Sequence, residues 1–322
     1  VRSHDSDVLE FALDACREGE PCWLVTVVAV TGSSPRPRGA LLACRADGQQ
    51  AGSVSGGCVE EDLLQRLRAG DFDQRTARRV KYGVSAEENA RLGLPCGGHL
   101  DLVVQRLDRA DIDWLNAALA AMGERRCVLR QLDLASGNTR LEDSEHFHDL
   151  EVDAQTLSQC FGPRYRMLLV GAGQLAASIA ELALAMDYDV VVTDPRADTL
   201  AQWSGPEVTR LGGMPDDVVR EQAVDRFSVV ITLTHDPRID DMALMEALES
   251  EAWYVGALGS ARTTAKRLDR LRALGIGETG IARLHAPVGL DIGSKTPLEI
   301  AVAVMAQLVQ LRRRPAAAQA VS

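Results

Sequence analysis

The sequence predicts an α/β protein in two parts: a doubly wound parallel-sheet domain in the C-terminal half, preceded by a smaller mixed α/β domain. Three observations predict it. From Arg166 onward, short β-branched runs alternate with helical stretches that hold few breakers, the rhythm of a parallel sheet. Within that region Gly171-x-Gly173-x-x-Ala176 stands between a strand and a helix, and Asp194 closes the next strand about twenty residues on, which is the spelling of a Rossmann-type turn. Finally, 322 residues are enough for two cores, and the polar stretch 136–164, which carries Gly162-Pro163, has no sustained periodicity. The expected domains are 1–160, with a polar linker at its end that permits motion, and 161–322, with a C-terminal helix and a short tail.

The elements follow in order. Val8–Arg17 has helical spacing and stops at Gly19, and Cys22–Val30 is a β-branched run that reads as a buried strand. Ala40–Arg45 is a second strand, and Asp47-Gly48 turns the chain. Val59, Leu63, Leu64 and Leu67 mark one face of a helix over 58–68. Strands are expected at 78–82, 100–107 and 127–134, with a helix over 111–122. In the second half, strands at 167–170, 190–193, 227–233 and 253–258 alternate with helices at 174–186 and 242–248. Thr296-Pro297-Leu298-Glu299 spells a capping box with proline at the first helical position, opening a helix that reaches Arg312.

Composition narrows the function classes. A net charge of −11 argues against non-specific nucleic-acid binding, and no run of 18 apolar residues offers a membrane span. The polar start, Arg2–Asp7, lacks the apolar stretch of a signal peptide, so a cytoplasmic location is expected. Seven cysteines, an odd number, favour reduced thiols, with Cys22 and Cys44 in the core.

Two glycine-rich turns carry chemistry. Gly32–Gly39 contains Arg36 and Arg38, and Gly52–Gly57 leads to Cys58 at the mouth of a helix. Amides of Ser55, Gly56 and Gly57 are expected to converge on an anion, with the two arginines nearby. A thiolate at Cys58 would be favoured by the helix dipole and would suit molybdenum or copper, or carry sulfur. Glu60 and Glu61 oppose it if they face the sulfur, and the plainer alternative is a cysteine filling a tight space. Cys96 and His99 have C-x-x-H spacing but no second ligand pair, and nothing local supplies a base for a nucleophilic Cys58.

In the second half, Gly171 and Gly173 would admit a pyrophosphate, with Asp194 on the ribose hydroxyls and Arg196 on a 2′-phosphate or in solvent. Gly259-Ser260 opens a second strand-to-helix turn suited to an anion, while Arg262, Lys266, Arg267 and Arg270 read as a solvated helix face. His235-Asp236 offers either an acid–base pair at the strand edge or the start of a turn, and His285 with the 289–295 loop lies toward the same edge.

The motifs GSSPRPRGA, GSVSGGCVE and PCGG, then the GAG turn, THD, YVGALGS and APVGLDIGSKTPLEIAVAV, resemble the XdhC/CoxI family in order across residues 22–310. The resemblance implies an accessory protein that binds the molybdenum cofactor, supports its sulfurated form and inserts it into a xanthine dehydrogenase-type molybdenum hydroxylase. It implies a cysteine desulfurase as sulfur source, and a homodimer. It also implies a cofactor in molybdopterin or dinucleotide form, with Cys58 of the SGGC motif touching the metal or its sulfur. Cys96, Gly97 and Gly98 of PCGG would assist, and Gly171, Gly173, Asp194, Gly259 and Ser260 would cradle a nucleotide portion or merely complete the cleft. The alternatives are an NAD(P)-dependent oxidoreductase using His235 and Asp236, and a nucleotide-sensing regulatory partner of the hydroxylase.

Overall fold

A computed structural model describes residues 5–31, 36–85, 99–144 and 148–312, with the side chain of Cys58 outside the description. Contacts divide the chain into two units, Val1–Pro163 and Arg164–Ser322.

In the first unit, α1 (Asp5–Glu18) buries Val8, Leu9, Ala12, Leu13 and Cys16, positions three and four apart that form one face. There follow β1 (Cys22–Thr31), β2 (Leu41–Arg45), β3 (Gln50–Gly52), α2 (Cys58–Arg68), β4 (Arg78–Tyr82) and β5 (His99–Leu107). A short 3-10 turn, Arg109–Asp111, leads into α3 (Ile112–Gly123). The five strands pair antiparallel in the order β3-β2-β1-β5-β4. β1 is buried on both faces because helices cover both. Cys22 and Leu24 pack with α1 and α3, whereas Trp23, Val25 and Val27 pack with Val59, Leu63 and Leu67 of α2.

The stretch expected to be a polar linker is instead most of a second sheet. β6 (Cys127–Asp133), β7 (Thr139–Ser144), β8 (Glu151–Val152) and β9 (Thr156–Phe161) pair in the order β7-β6-β9-β8. Apolar alternation is interrupted in β9 because the inward Gln159 is polar and hydrogen-bonded. Arg130, fully buried on β6, donates to Gln159 Oε1 across the pair at 3.1 Å and to Gln105 Oε1, and its guanidinium lies over the Trp114 ring. Only residues 162–165 then separate β9 from the first strand of the second unit.

The second unit runs β10 (Arg166–Val170), α4 (Gln174–Ala185), β11 (Asp189–Thr193), α5 (Ala197–Ala201), β12 (Thr209–Leu211), α6 (Pro215–Gln222) and β13 (Ser228–Thr232). It continues with α7 (Pro237–Glu249), β14 (Tyr254–Ala257), α8 (Ala261–Ala273), α9 (Glu278–Ala282), β15 (Leu284–His285) and α10 (Pro297–Arg312). All six strands are parallel, in the order β12-β11-β10-β13-β14-β15. This is the doubly wound Rossmann arrangement, with its switch point between β10 and β13. One face packs on α4 and α10, the other on α6, α7 and α8. The capping box opens α10 as expected: Glu299 Oε2 accepts from the Lys295 and Thr296 amides at 2.8 and 2.9 Å. Among the described residues, no helix is long and apolar enough to cross a membrane.

Candidate functional site

Sheet topology brings the C-terminal ends of β1, β3 and β4 to one end of one sheet. Register pairs Thr31 with His99, Tyr82 with Leu100 and Leu42 with Gly52. The β1–β2 connection with Arg36 and Arg38, the Ser53–Gly57 turn and the β4–β5 connection therefore all leave from that end. Arg36 is half-buried and Arg38 exposed. Cys96, Gly97 and Gly98 lie outside the described residues, so the C-x-x-H pair is represented by His99 alone. Among the described residues no cluster of three metal-ligating side chains occurs. Cys22 and Cys44 are buried, as expected of core thiols.

The Ser53–Gly57 turn does converge its amides on an anion, but the anion belongs to the chain. Glu60 Oε1 accepts from the amides of Val54, Ser55 and Gly56 at 3.0, 2.9 and 3.1 Å and from Ser53 Oγ at 2.7 Å. Glu60 Oε2 accepts from the Gly57 amide at 3.0 Å and from Ser55 Oγ. Burial alone would raise this carboxyl; the hydrogen bonds from Ser55 and Ser53 and from the turn amides outweigh it and lower it to about 2. This corrects the expectation that Ser55, Gly56 and Gly57 offer free amides to a phosphate. Their role is to be shaped: Gly57, at φ 152°, caps the helix that Cys58 begins. Glu60 is the residue that sequence reasoning undervalued. The available signal was its place at the third helical position, where a glutamate reaches back to the cap.

In the second unit, the expected residues gather along the C-terminal edge of the sheet, where open α/β sheets take ligands. Gly171 has φ 112°, and a Cβ there would lie 2.8 Å from Thr234 Cγ2, so the turn between β10 and α4 needs glycine. Gly173 differs, since an added Cβ would meet nothing within 4 Å. Asp194 is fully buried, with its acceptor positions engaged. Oδ2 takes the Ala172 amide at 3.0 Å and Arg196 Nη2 at 2.7 Å; Oδ1 takes the Arg196 amide at 3.0 Å and Nε at 2.8 Å. Burial opposes its charge, but those bonds hold the carboxyl below the ordinary range. Asp194 thus braces the glycine turn. The expected ribose contact, and a 2′-phosphate contact by Arg196, do not fit a pair already joined to each other.

His235 is exposed at the edge, and Asp236 does not orient it. Asp236 caps α7, accepting the Arg238 amide at 3.0 Å and pairing Oδ2 with Arg238 Nη2 at 2.8 Å. These bonds lower its carboxyl to about 2. The acid–base pair thus resolves into a helix cap beside a histidine. His285 stacks on Tyr254, ring centroids 4.5 Å apart. Ser260 caps α8 in a reciprocal pair with Thr263. The charges beyond it are not all a solvated face. Arg267 is only 6% exposed and pairs with Asp240 at 2.9 Å, while Arg270 pairs with Asp241.

The XdhC and CoxI family matches residues 15–83, and the XdhC Rossmann domain matches residues 167–308. Molybdenum cofactor insertion chaperone PaoD of Escherichia coli (strain K12) is 30% identical over 315 residues, covering 95% of this chain and 88% of that one. The chain belongs to the XdhC/CoxI family. Another relative, a probable xanthine dehydrogenase subunit of Bacillus subtilis (strain 168), is 28% identical over 329 residues, covering 94% of this chain and 97% of that one. In three dimensions the chain is similar to a crystal structure described as a xanthine dehydrogenase from Bacillus halodurans, with TM-score 0.78 and 25% identity over 98% of this chain and 97% of that one.

Proposed function

We propose that this chain is a molybdenum cofactor insertion chaperone that receives the cofactor, supports its sulfurated form and hands it to a xanthine dehydrogenase-type hydroxylase without turnover of its own. The observation that carries the reading is that the connections after β1, β3 and β4 leave from one sheet end, with Cys58 as the first residue of α2. The name of the E. coli relative, a molybdenum cofactor insertion chaperone, supports the same reading, and that of the B. subtilis relative links the family to xanthine dehydrogenase.

The chain's own residues have definable tasks in this reading. Glu60 holds the Ser53–Gly57 turn, and the N-terminal end of α2 favours a thiolate at Cys58. That sulfur is the soft contact for molybdenum or its terminal sulfide. Arg36 and Arg38, on the neighbouring connection, attract the anionic pterin and phosphate portion. On the resemblance, Cys96, Gly97 and Gly98 would assist. A cysteine desulfurase supplies sulfur, and the protein works in the cytoplasm as a homodimer. The test is stoichiometric loading of purified protein with molybdenum cofactor. Cys58→Ala is expected to abolish loading while leaving association with the hydroxylase intact; unchanged loading would remove Cys58 from the site.

A further inference from the structure

The connection that carries Arg36 and Arg38 is tied to a residue 120 positions further along the chain. Gln159, on β9 of the second sheet and 4% exposed, donates from Nε2 to the Gly39 carbonyl at 3.0 Å. The rest of that turn is closed locally. The Ala40 amide donates to Pro37 O at 3.1 Å, and the Gly39 amide to Val27 O of β1 at 2.8 Å. Gly39 has φ 89°, the left-handed conformation that favours glycine in a turn. Its carbonyl, one residue beyond Arg38, is where the second sheet takes hold.

The hold has a direction, and an arginine sets it. Arg130 stands opposite Gln159 in the β6–β9 register, is fully buried, and forms no ion pair among the described residues. Its Nε has no hydrogen-bond partner. An apolar side chain there would avoid the cost of burying that charge, but it could not orient an amide. Burial pushes the guanidinium down to about 10, so it stays protonated at neutral pH, and a guanidinium only donates. Both neighbouring glutamines therefore turn their oxygens toward it, Gln159 Oε1 at 3.1 Å and Gln105 Oε1 beside it. The nitrogen of each amide is left to donate outward. Gln105 Nε2 donates to Gly137 O and Thr139 Oγ1 at 3.0 and 3.1 Å, within the second sheet's own hairpin, whereas Gln159 Nε2 reaches the first sheet's turn at Gly39. With the amide reversed, its oxygen would oppose the Gly39 carbonyl and its nitrogen would oppose the guanidinium.

We infer that Gln159, oriented by Arg130, is a positioning residue for ligand binding: it fixes the turn that presents Arg38, and with it Arg36, to the anionic part of the cargo. The inference rests on the chaperone reading for the identity of that cargo, whereas the hold on the turn is independent of it.

The experiment uses Gln159→Glu in the full chain. A carboxylate keeps an acceptor for Arg130 and loses the donor to Gly39, so the core pair survives while the tie to the turn is cut. Trypsin reads the outcome, because it cuts after Arg38 once that bond is released, whereas the Arg36–Pro37 bond resists it. Cleavage after Arg38 should be about fivefold faster or more than in the wild type, the worth of one hydrogen bond in a local opening equilibrium. Cleavage after Arg109, exposed elsewhere in the same unit, should keep its wild-type rate. Titrated with molybdenum cofactor, the variant should load about threefold more weakly or worse. A wild-type rate after Arg38 overturns the inference. Equal acceleration after Arg109 marks a general loosening of the unit and overturns it too, as does unaltered loading by a variant whose turn is released. If the wild type itself takes up no cofactor, the chaperone reading falls, and the cleavage rates still decide whether Gln159 holds the turn.

Discussion

Glu60 shows how a single carboxylate can organise a functional turn. Four amides and two hydroxyls point at it, so its removal leaves the Val54 and Ser55 amides to water, while those of Gly56 and Gly57 keep only their contacts with Ser53 and Ser55 Oγ. Glu60→Ala is expected to destabilise the first unit by about 2 kcal/mol in urea denaturation and to reduce cofactor loading. Its lowered carboxyl gives this contribution a pH window. The stabilisation is fully present above the ordinary value of 4.5 and is lost as pH falls toward about 2. Acid denaturation curves of the wild type and Glu60→Gln should therefore converge across that range; a constant gap would show that ionisation at Glu60 is not the source.

At the scale of elements, α2 and α10 begin with the same device, a glutamate at the third helical position reaching back to the cap amide. Glu299→Ala should lower the denaturant midpoint slightly, because the Lys295 and Thr296 amides then lose their acceptor. Much of this level was legible in the sequence. The bounds of α2 follow from Val59, Leu63 and Leu67, and the glycine turn between β10 and α4 follows from its spelling. Where legibility failed, a polar residue occupied an inward position. β6 was expected from its sequence, but in β9 the inward Gln159 accepts from Arg130 across the pair, so the apolar alternation of that strand is interrupted. Arg267 falls between Thr264 and Leu271 on the buried stripe of α8, yet its charge made it look solvated. Pairing across elements was the missing information in both cases. At the candidate site, the motifs themselves were legible by resemblance, whereas the Glu60 clamp and the Asp194–Arg196 brace depend on side-chain direction.

For the whole molecule, the ion pairs joining α7 and α8 are the polar joint of the second unit. Arg267→Met would leave Asp240 buried without its partner, at a cost of about 3–5 kcal/mol. Hydrogen exchange should then lose protection within residues 164–312 and keep it in residues 5–144; uniform loss would contradict a division into two cores. Replacing both members, as Asp240→Leu with Arg267→Met, should recover much of the stability, because no isolated charge remains.

The clamp at Glu60 also bears on how a carrier surrenders its load. A turn closed by a carboxylate from its own chain needs no guest to give it shape. Arrival there orders little backbone, and departure leaves no amides stranded. Under the proposed function, capture and discharge would meet the same prepared surface, with affinity set by a few sulfur and charge contacts and no added penalty of refolding the mouth at every exchange.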